Sequence, residues 1–590
     1  MSTTPPNTAG DIPSDASAGE SASGSAASGT KTGDPGYAKR VLHGSVWMII
    51  NTVVTRAGSF VAQIFLAWWL TTSDFGLVGV ALALSGFFSV LRDGGVRQIL
   101  LKQHNEHDRL LGPCFWMAMG FNVLLAVLLT LLAFPFASLY DDPRLIPMLL
   151  IIGWSIPLGT PGGILLTKLL ADMRYRENAS VMTASAMTRY VSSIAFAYAG
   201  LGALSFVLPN ILCALVENAM AYRYCRHTPW RDRADVSIWW DLFKRSRWAL
   251  VAILGISGIN QGAGAAIGLA APLEIVGIYT FTFLIVVQVG SLLSTNINQV
   301  LVPVFTRLAE DESRKRDAVL RTLRQVSLLA TMMALGLAAT YRPFEAMIWR
   351  ERWEVTVTPV HIVGAGYAIN VLIAISLAVQ QARGQFRAWG LGLFLLALGT
   401  MGSAALGAWL AQPGLARADA LALLLREASP AAASRLRADG AWWSAVSISL
   451  CVSVFGVLSS LLHVAIALKP LGVRRREVIV SAVQVWMLGL IAGAATVGAD
   501  ATLGAMIRDT TIAWLAPLLP AHTPKDSFLG HLPGMVGEGL LFALAGVLFV
   551  ALFTALLRLF QRATLLESLR VVPGRFRGIA AAVLLLPRAS

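Results

Sequence analysis

Long apolar runs separated by short polar breaks fill the chain from residue 41 onward. A helix needs about 20 mostly apolar residues to cross a hydrocarbon layer of about 30 Å. The pattern predicts such helices over 41–70, 77–101, 112–139, 145–170, 179–200, 203–226, 244–271, 274–305, 325–349, 357–383, 387–411, 441–468, 478–498 and 534–560, about fourteen in all. The fold class is therefore an all-α polytopic membrane protein. Residues 1–36 are different in kind, built of Ser, Ala, Gly, Thr and Pro with no apolar core. Such a composition buries too little surface to fold, and it predicts a disordered cytoplasmic tail rather than a secretory signal.

The polar breaks carry their own pattern. Lys39 and Arg40 precede the first helix, and Lys102, Arg109, Lys168, Arg174, Arg176, the Arg223–Arg247 cluster and the Arg307–Arg324 cluster follow even-numbered helices. The odd breaks Thr71–Gly76, Asp141–Arg144, Gly200–Gly202 and Pro272–Glu274 are poorer in basic residues. Basic loops stay in the cytoplasm, so this alternation predicts a multi-pass protein with both termini there. Arg342, Arg350 and Arg352 break the rule, as do Arg417, Arg426, Arg435 and Arg437 in the long break at 412–440.

A weak internal repeat adds an architecture. Ser73-Asp74-Phe75-Gly76-Leu77 and Glu274-Ile275-Val276-Gly277-Ile278 each place an acidic residue, a short spacer and a glycine between two long helices. The repeat predicts two six-helix bundles facing a central cavity, with two extra C-terminal helices. The expected division is an N-terminal bundle at 37–226, a basic linker at 227–243, and a second bundle at 244–411 and 441–468. A long outer loop at 412–440, two further helices within 469–562 and a basic cytoplasmic tail at 563–590 complete it.

Composition narrows the function classes. The chain is 56% hydrophobic and 14% charged, against about 25% charged in soluble proteins. The net charge of +14 is explained by the cytoplasmic loops, and no basic run is interleaved with aromatics as nucleic-acid binding requires. Cys114, Cys213, Cys225 and Cys451 lack metal-site spacing, and no Walker loop, HExxH or nucleophile elbow occurs. Neither catalysis nor a cofactor nor a metal is expected.

Against this background Arg56, Arg92, Asp93, Arg97, Arg189 and Glu217 stand inside segments that should lie in lipid. Each would cost about 2.5–3.5 kcal/mol at the centre of the bilayer, so they must face one another or a watery cavity. Asp93 and Arg97 are four apart on one helix face, and Glu217 has Arg189 as a candidate partner. Asp93 and Glu217 are thus either structural ion pairs or coupling groups. Four arginines against two carboxylates leave a positive surplus, which suits an anion such as a pyrophosphate gripped by planar guanidinium groups. The second half offers amides instead, among them Asn260, Gln261, Gln288 and Asn298. These amides either hydrogen-bond sugar hydroxyls or join helices. The glycines of Gly255–Gly268 predict close helix packing.

The stretches Gly44-Ser45-Val46-Trp47, Leu66-Ala67-Trp68-Trp69-Leu70, Thr72-Ser73-Asp74-Phe75-Gly76-Leu77 and Leu91-Arg92-Asp93-Gly94-Gly95-Val96 resemble the polysaccharide transporter family of Wzx-type oligosaccharide flippases. That family belongs to the multidrug/oligosaccharidyl-lipid/polysaccharide exporter superfamily. The resemblance is specific over about 40–110 and looser to about 470. It implies flipping of undecaprenyl-diphosphate-linked oligosaccharide repeat units across the inner membrane, by alternating access, for exopolysaccharide or lipopolysaccharide synthesis. It also implies a cationic cavity for the pyrophosphate and sugar, and partners in polymerase and export machinery. An alternative is a membrane polysaccharide polymerase or ligase working through Arg417, Arg426, Arg435 and Arg437. A cation antiporter of the same superfamily predicts carboxylates where this chain has arginines.

Overall fold

The computed structural model describes residues 35–92, 107–232, 250–288, 312–426, 429–518 and 528–561, and among them there is no strand. Each predicted segment contains helix. The first six helices are α1 (Pro35–Trp69), α2 (Thr72–Arg92), α3 (His107–Leu139), α4 (Leu145–Ala171), α5 (Tyr175–Tyr198) and α6 (Pro209–Cys225). Next come α7 (Leu250–Gly268), α8 (Leu273–Gln288) and α9 (Glu312–Trp349). The tenth segment is broken into α10 (Val357–Asn370) and α11 (Ile373–Ala382), and α12 (Phe386–Leu425), α13 (Pro430–Leu468), α14 (Arg475–Leu515) and α15 (Phe528–Phe560) follow.

The packing repeats. In the first bundle α1 lies on α5, α3 on α4, α4 on α6 and α5 on α6; in the second α7 lies on α12, α9 on α10, α10 on α13 and α12 on α13. In lipid, close packing rather than water exclusion holds helices together, so small residues sit where axes approach. A methyl group on Gly255, Gly258 or Gly262 would strike Leu393, Ala397 or Met401 of α12, which is the close packing expected of that glycine run.

The appended pair α14 and α15 docks on α9 through Leu335, Val485, Phe549 and Phe553. Arg342 Nη1 meets Asp500 Oδ2 at 3.2 Å and Arg508 Nε meets Glu538 Oε1 at 2.5 Å, so the carboxylates buried in this junction are paired.

The segment 412–440 is not a loop. Helix α12 runs on to Leu425 and α13 starts at Pro430, where the Ser429 hydroxyl accepts from the Ala432 N–H at 3.4 Å. At 40 residues α12 is about 60 Å long, twice the hydrocarbon thickness. The charges that end the hydropathy signal sit among Ala, Leu and Arg, the strongest helix formers, so the hairpin continues past the apolar span. For the same reason α14 continues to Leu515, into the break expected after residue 498.

Candidate functional site

The two repeat motifs meet. Thr71 caps α2: its N–H and hydroxyl donate to Asp74 Oδ2 at 3.0 and 2.8 Å, and the Asp74 N–H donates back to its hydroxyl at 3.3 Å. Arg144 ties this cap to the α3–α4 turn, lying 3.8 Å from Asp74 and 2.7 Å from Asp142. Burial pushes the Asp142 carboxyl up, but hydrogen bonds from the Arg144 side chain and N–H, and its charge, outweigh this and hold it below the usual carboxylate value. A depressed carboxyl stabilises the fold above its unfolded value of about 3.9, and that contribution is lost as pH falls through the lower folded value. The thermal-midpoint gap between wild type and Asp142→Asn is therefore expected to be constant from about pH 7 to 5 and to close below about pH 4. A gap that persists unchanged in acid would contradict this role.

One residue past the cap, Phe75 is fully buried against Phe206 at 5.5 Å, Phe281 at 5.1 Å and Trp353 at 5.2 Å between ring centroids. Gly76 and Gly277 then let α2 and α8 cross. A methyl group on Gly76 would lie 1.9 Å from the Leu273 carbonyl oxygen, and one on Gly277 would lie 1.7 Å from that of Thr72. The crossing is reciprocal, as a pseudo-twofold axis between the repeats requires.

The loop after α9 closes over the same end. The Trp349 and Trp353 indoles donate to the carbonyls of Ile64 and Ala67, each at 3.0 Å. The Arg352 guanidinium donates to Leu70 O at 3.1 Å and to Trp68 O. The last carbonyls of a helix have no partner within it, so the second bundle caps α1 of the first. This accounts for Arg352 on the side where basic residues are sparse.

Beyond this seal lies a cavity of about 510 Å³ between the bundles, lined by Arg56, Asn260, Gln261, Tyr279, Phe283 and Tyr367. Its size falls within the range of small-molecule sites. Among the described residues Arg56 has no hydrogen-bonded or ion-paired partner, so its guanidinium is left for whatever enters. Asn260 and Gln261 sit in a π turn, Gly258–Gly262, a one-residue widening of α7 of the kind frequent at functional sites.

A recess of about 210 Å³ opens alongside, sharing Leu82 and Gln261 with the larger cavity. Arg189, Asn210, Glu217, Ser85 and Ser155 line it. Arg189 Nη1 donates to Asn210 Oδ1 at 2.6 Å, and the Ser185 hydroxyl donates to Glu217 Oε1 at 2.7 Å. Arg189 and Glu217 thus share a recess and are each tied to a neutral partner, rather than to one another. Together the two cavities present two arginines against one carboxylate, an excess of positive charge.

The structure therefore brings together Arg56, Arg189, Glu217, Asn260 and Gln261. Gln288 lies apart, its amide donating to Ser59 Oγ at 2.9 Å and Gln63 Oε1 at 3.3 Å, where it joins α8 to α1. Arg92 ends α2. Asp93, Arg97 and Asn298 lie outside the described residues. Tyr279, Phe283, Tyr367 and Asn210 were not among the expected site residues. Tyr279 and Phe283 are four apart on α8 with stacked rings, a spacing that reads equally as lipid contact.

The fold resembles those of two solved membrane proteins. It superposes on "Lipid II flippase MurJ, inward closed conformation" with a TM-score of 0.56 at 10% identity, covering 86% of this chain and 99% of that one. It superposes on the inward-facing conformation of a multidrug resistance MATE family transporter of the MOP superfamily with a TM-score of 0.52 at 11% identity, covering 71% and 99%. Residues 65–358 match the family described as "Polysaccharide biosynthesis protein". Succinoglycan biosynthesis transport protein ExoT of Rhizobium meliloti (strain 1021) is 23% identical over 330 residues, 54% of this chain and 64% of the relative. Lipopolysaccharide biosynthesis protein WzxC of Escherichia coli (strain K12) is 21% identical over 323 residues, with the same shares. The matched region spans 64% of the length of these relatives, just under two thirds. The chain is thus similar to polysaccharide biosynthesis proteins over residues 65–358, and its fold resembles that of the two solved transporters.

Proposed function

We propose that this chain carries undecaprenyl-diphosphate-linked oligosaccharide repeat units from the inner to the outer leaflet of a bacterial inner membrane, by alternating access. The observation that carries the reading is Arg56, without a partner among the described residues on the wall of a cavity between two bundles sealed at one end. An arginine facing a cavity within the membrane without a carboxylate is costly unless an anion completes it, and its planar fork matches phosphate oxygens. With the orientation set by the basic loops, the seal at Gly76, Gly277 and Trp353 is outward. The cavity then takes the diphosphate from the leaflet where such lipids are made. Transport needs α2 and α8 to part at their crossing and the α9–α10 loop to leave the end of α1. The lipid chain stays in the bilayer.

The names of the relatives, a succinoglycan transport protein and a lipopolysaccharide biosynthesis protein, fit a glycan cargo that polymerase and export machinery then use. The polymerase or ligase reading has less support. Arg417, Arg426, Arg435 and Arg437 are all exposed along a helical hairpin, and Arg437 lies 4.0 Å from Asp419.

Deleting the gene is expected to abolish the surface polymer while lipid-linked repeat units accumulate in the cytoplasmic leaflet. A polymerase defect would leave those units in the outer leaflet, and finding them there would reject the flippase reading.

A further inference from the structure

We propose that the recess walled by Arg189, Asn210, Glu217 and Gln261 is a monosaccharide subsite, which holds the sugar ring next to the diphosphate bound at Arg56. The proposal rests on the flippase reading and adds to it a neutral polyhydroxyl ligand at a defined place. The recess opens off the larger cavity across Gln261, so a ligand anchored at Arg56 reaches it without leaving the protein. At about 210 Å³ it has room for a single pyranose-sized ring and not for a longer glycan.

Its chemistry separates it from the anion site. Arg189 and Glu217 balance in formal charge, so neither a second phosphate nor a free cation is favoured there. A sugar hydroxyl both donates and accepts, and the recess supplies both functions. Glu217 takes one hydroxyl, from Ser185, and among the described residues its second oxygen is left as an acceptor. Asn210 receives Arg189 on its oxygen, and among the described residues its NH₂ is left as a donor. The Gln261 amide, a donor and an acceptor in one plane, has no hydrogen-bond partner among the described residues. Ile152, Ile156 and Ala214 form the apolar part of the wall, against which the C–H face of a pyranose packs.

The division of labour predicts a split in binding. The full chain in nanodiscs would be titrated with undecaprenyl diphosphate, and with the same lipid carrying one glucose, galactose or N-acetylglucosamine. Wild type is expected to bind at least one glycosylated lipid about tenfold or more tighter than the sugarless one, a preference of about 1.4 kcal/mol. Glu217→Gln and Asn210→Ala should bring that ratio close to one. Gln261→Ala should reduce it too, and because that amide has no partner among the described residues its removal orphans none of their groups. Arg56→Ala should weaken both lipids together and preserve the ratio. An unchanged ratio in folded Gln261→Ala and Asn210→Ala overturns the subsite, as does a ratio of one for all three sugars in wild type. If wild type binds neither lipid, the flippase reading falls and the subsite with it.

Discussion

Arg56→Ala is expected to cut polymer output by about 10- to 100-fold while the protein still accumulates in the membrane at its normal level. The size follows from losing charge-assisted hydrogen bonds to a phosphate, worth about 1.5–3 kcal/mol, at about 1.4 kcal/mol per decade. Normal accumulation follows from the absence of any internal partner among the described residues, since removing the side chain strands no carboxylate among them. Arg56→Lys is expected to fall between the two. It keeps the charge but replaces the planar fork with a point charge. Glycan output and membrane protein level, measured side by side, test this. Full output from Arg56→Ala at normal protein level would remove the anion site from the account.

The second large effect concerns the seal. Gly277→Ala puts a methyl group 1.7 Å from the Thr72 carbonyl oxygen, 2.7 Å from its carbon and 2.9 Å from the Gly76 nitrogen. All three are backbone atoms, so no side chain can swing aside and α2 and α8 must separate. Overpacking of this kind costs about 1–3 kcal/mol, and a clash with helix backbone belongs at or above the upper end. The thermal midpoint of the purified protein should drop clearly, and transport should fall because the closed state is the one penalised. Gly163→Ala is the control. It faces open space within α4, and alanine exceeds glycine in helix propensity by up to about 1 kcal/mol. That variant should be neutral or more stable. Equal midpoints for Gly277→Ala and wild type would show that the crossing does not close the molecule.

The helices were legible because lipid imposes a length and a composition on every span. The acid-spacer-glycine repeat was legible as a pair of equivalent breaks, and its meaning became clear only in three dimensions. Asp74 caps α2 with Thr71, Phe75 joins the ring cluster, and Gly76 and Gly277 cross. Hydropathy placed the start of the second helix at residue 77 because its first turn is polar, whereas the cap sets it at Thr72. It likewise ended α12 at residue 411, because transfer energy and not helix propensity was being read.

The candidate site was legible in part. Charge in an apolar run singled out Arg56, Arg189 and Glu217, and the structure sets all three on cavity walls. It could not assign partners, which come from other helices: Asn210 for Arg189 and Ser185 for Glu217. Spacing along one strand of sequence carries no information about such cross-helix contacts. The π turn that presents Asn260 and Gln261 was equally hidden, since the same glycines satisfy a straight, tightly packed helix.

The proposed function is movement of a diphosphate-linked glycan between leaflets by this chain. Reconstituted in liposomes, the purified protein should transfer a fluorescently labelled undecaprenyl-diphosphate oligosaccharide across the bilayer faster than it transfers an uncharged glycolipid with the same sugar. Folded protein that moves neither lipid, or both at the same rate, would contradict it.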